Sequence, residues 1–210
     1  MVPVVVALGC SPSPSPESAT PPPAPAQTNS ATGFTGLVSG AMDSLAALPG
    51  SAEAVYRFRF RQVDPASDRF TFQDRDLSFY FKPSPSALFF QVENRQNTPM
   101  WIEWDRSVFY PPRGATGKVA HASTRWDDRF RVQPATQIAG LMRYGDYVLP
   151  LEYLLDPAGS AEQIHRPLFP EDATALQYDN NEFGVDLVFR LDNSFRTYRF
   201  RFRVASILPR

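Results

Sequence analysis

Arginine recurs at every second position in two stretches of the chain, AVYRFRFR from residue 54 and YRFRFR from residue 198. Side chains two residues apart on a strand point to the same face, so each stretch would display three guanidinium groups. On one sheet, the six groups could bind a surface rich in carboxylate or phosphate, such as lipopolysaccharide or an acidic partner. The favoured alternative is a solvated face whose arginines pair with acidic residues. The six residues are Arg57, Arg59, Arg61, Arg199, Arg201 and Arg203.

A histidine, a serine and two aspartates lie close together in the sequence and have the residue types of a hydrolytic site. His121 and Ser123 would share one face of a strand, and Asp127 or Asp128 would supply the carboxylate. The same spacing is typical of an ordinary polar face, and the chain has no Gly-x-Ser-x-Gly nucleophile motif. A hydrolase is therefore the less favoured hypothesis, and we expect that the protein is not an enzyme.

The stretch YDNNEFGVD is the best candidate for a metal site. Asp179, Asn181 and Asp186 would offer the oxygen ligands that Ca²⁺ prefers. Their spacing matches no standard calcium loop, and a polar turn before a strand explains them equally well. Because His121 and His165 are far apart in the sequence, the chain has no zinc pattern. We expect neither a metal nor a cofactor.

Three aromatic residues are candidates for direct ligand contacts if they are exposed beside arginines. Trp101, Tyr110 and Trp126 could then bind a glycan or a lipid. This hypothesis predicts a concave patch with at least two exposed rings, whereas fully buried tryptophans would argue against it.

Alternation of apolar and polar residues with a period of two predicts many short strands, separated by turns rich in Asp, Pro and Ser. Asp192-Asn193-Ser194 predicts a hairpin turn near the C-terminus. Residues 171–178 predict one or two helical turns. We expect an all-β fold, an antiparallel β-sandwich of immunoglobulin-like character, with a small closed barrel as the alternative. The predicted strands cover 54–61, 69–73, 76–81, 87–94, 100–104, 117–124, 129–133, 141–154 and the hairpin within 184–207.

The composition limits the classes of function that fit this chain. Its 210 residues include 21 basic and 22 acidic side chains, and this balance argues against nucleic acid as a partner. Sixteen of the 17 phenylalanines follow residue 50, which places the hydrophobic core there. No apolar run is long enough to predict a membrane-spanning helix. A single cysteine cannot form an intrachain disulfide.

That cysteine lies at position 10, between an apolar run and a proline-serine tract. Ala7-Leu8-Gly9-Cys10 resembles the end of a bacterial lipoprotein signal peptide, in which an aliphatic residue and two small or apolar residues precede the cysteine. The resemblance implies cleavage before Cys10 and a diacylglycerol on its thiol, which would anchor the chain firmly in a membrane. Because Ser11 replaces the Asp that tends to retain such proteins in the inner membrane, the resemblance implies the outer membrane.

The predicted organisation has four parts. Residues 1–9 would be part of a signal peptide, and residues 10–33 would be the lipidated cysteine with a disordered, proline-rich tether that reaches roughly 70 Å. Residues 34–50 would form a short helix or linker. Residues 51–210 would form the β domain.

A second resemblance covers about 25 residues, QVENRQNTPMWIEWDRSVFYPPRG. The stretch is similar to a pattern in uncharacterised bacterial lipoproteins, in which a polar turn with proline leads to Trp104, Asp105, Ser107 and Phe109. This resemblance implies no activity. We expect Asp105 and Ser107 to bond nearby backbone amides as the strand ends.

Together these features predict a lipid-anchored protein of the bacterial cell envelope. Its β domain would be a non-enzymatic interaction or assembly module, and its partner would be the membrane together with another envelope protein or a glycan. The alternative is a module that binds a glycan or lipid through exposed aromatic and arginine side chains.

Overall fold

The computed structural model describes residues 54–210. Cys10 and the predicted segments 1–9, 10–33 and 34–50 lie outside the described residues. In the described part, no helix has both the length and the apolar character needed to cross a membrane. The strands are β1 (Tyr56–Asp64), β2 (Ala66–Ser67), β3 (Thr71–Gln73), β4 (Leu77–Pro83), β5 (Leu88–Asn94), β6 (Met100–Ile102), β7 (Val108–Tyr110), β8 (Gly117–His121), β9 (Thr136–Ile138), β10 (Arg143–Pro150), β11 (Leu154–Leu155), β12 (Ile164–His165), β13 (Glu182–Leu191) and β14 (Ser194–Pro209). The 3₁₀ helices are Trp104–Arg106, Leu151–Tyr153 and Ala173–Tyr178.

Twelve of these strands form one antiparallel sheet that is nearly closed. Half-sheet A contains β2, β1, β14, β13 and β7 in that order, with β6 paired to β13 and β9 paired to β6. Half-sheet B contains β8, β10, β5, β4 and β3. The pairing of β7 with β8 joins the two half-sheets along one edge. The predicted all-β, antiparallel fold is therefore confirmed.

The core lies between the two half-sheets, where phenylalanines from both sides meet. On β14, Phe200 and Phe202 are buried, whereas the alternate residue Arg199 is exposed. The ring centroid of Phe81 on β4 lies 4.4 Å from that of Phe200 and 5.2 Å from that of Phe202. The half-sheets thus pack face to face in two layers, and their outer faces are left for polar and exposed aromatic side chains.

Two predicted local features are confirmed. The C-terminal hairpin joins β13 to β14 through Asp192, whose φ of 51° lies in the left-handed region that tight turns require. The helical stretch near residue 173 forms a 3₁₀ helix, and the side chain of Asp172 accepts a hydrogen bond from the Thr174 amide at 2.8 Å. This bond satisfies one of the free amides at the start of the helix.

The predicted strand at 129–133 is wrong, because this segment is a loop. The Arg131 amide donates to the Asp128 carbonyl at 2.8 Å, so the backbone turns instead of extending. Phe130 and Val132 are 84% and 81% exposed, and neither joins the core. The apolar alternation in RFRVQ therefore does not mark a buried strand face.

Candidate functional site

The arginines Arg199, Arg201 and Arg203, here called the β14 row, lie beside carboxylates of the neighbouring strand β13. Asp186 Oδ1 accepts a hydrogen bond from Arg201 Nη1 at 2.8 Å, and Asp186 Oδ2 lies 3.8 Å from Arg199 Nε. Arg203 forms an ion pair with Glu182, its partner in register. Each positive charge of the β14 row is therefore close to a negative charge on the same face.

A glycine allows Arg201 to cross β13 and reach the next strand. Gly184 is in register with Arg201 on one side and with Tyr110 of β7 on the other. The guanidinium carbon of Arg201 lies 3.9 Å from the centroid of the Tyr110 ring, whose hydroxyl donates to Asp186 at 3.2 Å. A Cβ at position 184 would lie 2.1 Å from the Phe200 carbonyl oxygen. Only glycine fits at this crossing.

The arginines Arg57, Arg59 and Arg61, here called the β1 row, are exposed on the adjacent strand. They lie about 7 Å apart along the strand. No carboxylate of residues 54–210 lies within ion-pair distance of any of them. Strand β2, the other neighbour of β1, pairs only beyond the row. The partners of the β1 row in register on β14 are Leu208, Ser206 and Arg203.

The predicted calcium ligands make other contacts. Asp186 faces the arginines of the β14 row, the Asn181 side chain donates to the Pro112 carbonyl at 3.2 Å, and Asp179 accepts from the Asn180 side chain at 3.0 Å. Among residues 54–210, no group of three His, Cys, Asp or Glu side chains is arranged to hold a metal ion.

Each of the three predicted aromatic contacts is half-buried and is covered by a guanidinium group. Side chains placed in this way have one ring face occupied by a cation, which leaves less surface for a ligand. Trp126 also lines a hollow of about 430 Å³ beside Phe130. The three pairs are Arg190 over Trp101 at 4.1 Å, Arg201 over Tyr110 at 3.9 Å and Arg129 over Trp126 at 3.5 Å.

Of the predicted hydrolytic residues, Ser123 lies near His121, but Asp127 and Asp128 do not supply its carboxylate partner. His121 is buried at the end of β8 and stacks on Trp104 with the ring centroids 4.1 Å apart. Its Nδ1 lies 3.2 Å from Asp146 of β10. The Ser123 hydroxyl oxygen lies 3.5 Å from Nδ1 and 3.4 Å from Nε2. An oxygen on the lone-pair axis of Nε2 would be much further from Nδ1, so Ser123 is not aligned to transfer its proton there.

The carboxylate that meets His121 comes from a distant part of the chain. Asp127 and Asp128 are both exposed, and Asp128 pairs with Arg131 at 3.0 Å. Asp146, in contrast, has a side chain that is only 4% exposed. No local sequence pattern indicates this partner, because β8 and β10 become neighbours only in the folded sheet.

Asp146 is the centre of a buried hydrogen-bond network. Its carboxylate accepts from the Tyr144 hydroxyl and from the backbone amides of Ala122 and Tyr147 at 3.1 and 2.7 Å. Burial by itself raises the pKa of Asp146, but the hydrogen bonds from His121, Tyr144 and these amides outweigh it and hold the pKa below its ordinary value. The network fixes the turn after β8 against β10.

The tryptophan of the second resemblance, Trp104, is fully buried and donates a hydrogen bond to Thr136. Asp105 accepts from the Gln133 amide at 3.2 Å, and the Ser107 hydroxyl accepts from the Val188 amide at 3.0 Å. Both bonds go to backbone amides that are distant in the sequence, and they connect the segment between β6 and β7 to β13 and to the loop before β9. The side chains of this motif therefore stabilise the fold through contacts between separate elements.

Beside the Asp146 network, the outer face of half-sheet B has an open depression of about 480 Å³, here called the aromatic hollow. Tyr80 and Phe89 are 49% and 40% exposed. The Phe89 and Tyr147 ring centroids lie 5.7 Å apart. Two rows of residues cross β4, β5 and β10 in register here: Lys82, Phe89 and Tyr147 in one row, and Tyr80, Gln91 and Gly145 in the other.

The shape of the aromatic hollow follows from Gly145. This residue ends the second row without a side chain, so the space between Tyr80 and the turn at Ala122 stays open. The Lys82 ammonium and the Gln91 amide line the same space. Within the described part of the chain, neither side chain has a hydrogen-bond partner. The hollow thus combines uncovered aromatic rings with free polar groups.

Sequence reasoning missed the aromatic hollow, although the signal for its residues was present. Alternation in LSFYFKP and ALFFQVEN places Tyr80, Lys82, Phe89 and Gln91 opposite the buried phenylalanines. What the alternation does not show is that β10 lies beside β5 and brings Tyr147 next to Phe89.

The fold and this surface define an all-β antiparallel domain with an arginine-rich outer face and an aromatic outer face. Comparison of the chain with protein-family models, with curated proteins and with solved structures finds no match. What the domain does must therefore be inferred from its own side chains.

Proposed function

We propose that the protein is a lipid-anchored protein of the bacterial cell envelope and that its β domain is a non-enzymatic module that binds glycans. The observation that carries the proposal is the aromatic hollow, in which Tyr80, Phe89 and Tyr147 present ring surface on the outside of the sheet. Exposed aromatic rings gathered around a depression are typical of a ligand site, since a folded protein otherwise buries such surface.

The chemistry of the aromatic hollow suits a sugar ring. A pyranose has an apolar C–H face that packs on an aromatic ring, and its edge carries hydroxyl groups. Gln91 can donate to and accept from hydroxyls, and Lys82 can donate to them. A volume of about 480 Å³ lies in the range of small-ligand sites, roughly 300–1,000 Å³.

The binding test uses isothermal titration calorimetry of the full chain with two probes, soluble peptidoglycan fragments and lipopolysaccharide-derived oligosaccharide. We expect one probe to bind, and we expect Tyr80→Ala and Tyr147→Ala each to weaken binding about fivefold or more. Phe195→Ala is the matched control, because Phe195 is 48% exposed but lies on half-sheet A. Failure of both probes to bind, or equal losses in the control, would contradict the proposal.

The proposed anchor rests on Cys10 and the proline-rich tract that follows it, which lie outside the described residues. Metabolic labelling with palmitate tests it separately from glycan binding. The wild-type chain should take up label, fractionate with membranes and accumulate as a precursor under globomycin. A Cys10→Ser variant that still fractionates with membranes, while neither chain takes up label, would show that the anchor is wrong.

A further inference from the structure

The β1 row is a surface of positive charge that residues 54–210 leave uncompensated. Arg57, Arg59 and Arg61 are all exposed, and each guanidinium lacks an ion-pair partner among residues 54–210. In the neighbouring β14 row, Asp186 and Glu182 supply that partner for every arginine. The difference singles out the β1 row as the part of this face that is free to bind an anion.

We infer that the β1 row binds the phosphate groups of an anionic lipid surface. Three arginines whose Cα atoms lie about 7 Å apart on one strand carry a line of positive charges, which matches a surface that carries many phosphates. The planar guanidinium fork bonds two phosphate oxygens at once, and arginine keeps its charge at any pH of interest. A single free phosphate could engage only part of the row.

The position of the β1 row in the chain favours a lipid surface as the occupant. The described residues begin at Ala54, two residues before β1, so the chain that leads from Cys10 enters the domain at this strand. The choice of a lipid surface rests on the proposed envelope location. The phosphate chemistry rests on the arginines alone.

The composition of the same face supports this orientation. Opposite the β1 row, β14 presents Leu208, Ser206 and the half-exposed Arg203, none of which is acidic. Asp64, at the far end of β1, is the nearest acidic residue on the strand itself. A membrane that approaches this strand therefore meets positive charge before it meets any carboxylate of β1.

The test is vesicle co-sedimentation of the full-length Cys10→Ser chain, which lacks the acylation site and so binds only through its side chains. Vesicles of phosphatidylcholine alone are compared with an equal mixture of phosphatidylcholine and phosphatidylglycerol. We expect binding to the mixed vesicles only. The triple substitution Arg57→Gln, Arg59→Gln and Arg61→Gln should weaken that binding by about fivefold per arginine, roughly 100-fold in total.

A second triple variant controls for net charge. Arg69→Gln, Arg106→Gln and Arg125→Gln together remove the same charge from exposed positions on three different segments. This control should retain most of the binding, with a loss below about tenfold. Circular dichroism of both triple variants checks that the fold is intact, as expected for exposed side chains.

Three results would overturn the inference: equal binding to both vesicle types, equal losses in the two triple variants, or displacement by inorganic phosphate at the lipid phosphate concentration. The last result would assign the row to free phosphate and not to a surface. Soluble glycans and the aromatic hollow take no part in this assay. Its failure is therefore distinguishable from failure of glycan binding, and palmitate labelling tests the anchor by itself.

Discussion

The hexapeptide YRFRFR occurs twice, at 56–61 and at 198–203, and the two copies lie on adjacent antiparallel strands. In both copies the tyrosine is buried and the arginines lie on the outer side of half-sheet A. The copy on β14 has β13 as a neighbour, and Asp186 and Glu182 pair with its arginines. Within residues 54–210, no strand places a carboxylate beside the arginines of the copy on β1. A strand's own sequence decides which side chains face outward, and the adjacent strand decides which charges stay free.

The substitution with the largest expected effect disturbs the pairing of β13 with β14, on which the ion pairs of the β14 row depend. Gly184→Ala places a Cβ against the Phe200 carbonyl and within 2.9 Å of Arg201 Cδ, so the β13–β14 pairing must shift. We expect a loss of about 3 kcal/mol in the free energy of unfolding, measured by urea titration. Gly117→Ala is the control, because no atom lies within 4 Å of its Cβ position. Equal losses in both variants would contradict the account.

The next largest effect concerns a carboxylate on half-sheet B, Asp146, whose side chain is 4% exposed. Asp146→Asn should lower the free energy of unfolding by about 2 kcal/mol at neutral pH, because His121 and Tyr144 lose a charged partner. The pKa of Asp146 is lowered in the folded state, so its contribution is complete above the ordinary Asp pKa of about 3.9 and is lost as the pH falls through the lowered value. Urea titrations at neutral and acidic pH should therefore show a shrinking difference. A difference that grows with acid would contradict this sign.

A direct comparison of the two copies comes from one arginine in each. Arg201→Gln removes the bond to Asp186 and the stacking on Tyr110, and should lower the free energy of unfolding by about 1–2 kcal/mol. Arg59 is exposed and has no ion-pair partner among residues 54–210, so Arg59→Gln should change the free energy of unfolding by less than about 0.5 kcal/mol. Both values follow from urea titration under the same conditions. Similar losses in the two variants would mean that the β1 row is also paired.

The smallest effect concerns repulsion within the β1 row. Replacing Arg57, Arg59 and Arg61 by Gln should leave stability equal to or slightly above that of the wild type at low salt, by about 0.5 kcal/mol or less. The spacing of about 7 Å is close to the Debye length of about 8 Å at physiological salt, so added salt should remove the difference. Thermal unfolding at two salt concentrations measures it. A clear destabilisation at low salt would mean that the arginines of the β1 row have stabilising partners.

The parts of the fold that depend on neighbouring residues in the chain were predictable from the sequence. Strands at 76–81 and 87–94 follow from alternation, and the hairpin follows from its Asx turn at Asp192. The segment at 129–133 has the same alternation but forms a loop. Its own residues do not show that it lies outside the sheet, so alternation alone wrongly predicts a strand there.

The candidate sites depended on strand neighbours, which alternation does not determine. The partner of His121 is Asp146 and not Asp127, which is closer in the sequence, because β8 and β10 pair in the folded sheet. The aromatic hollow likewise needs Gly145 of β10 beside Gln91 of β5. Long-range strand pairing therefore decided both results, and local alternation does not show which strands become neighbours.

The most direct test of the central claim, that the aromatic hollow is a glycan site, is chemical-shift mapping of the full-length Cys10→Ser chain. Titration with the glycan that binds in calorimetry should shift the backbone amides of Tyr80, Gln91 and Gly145, and should leave those of the β1 row unchanged. Shifts concentrated on half-sheet A, with none around Gly145, would contradict the claim.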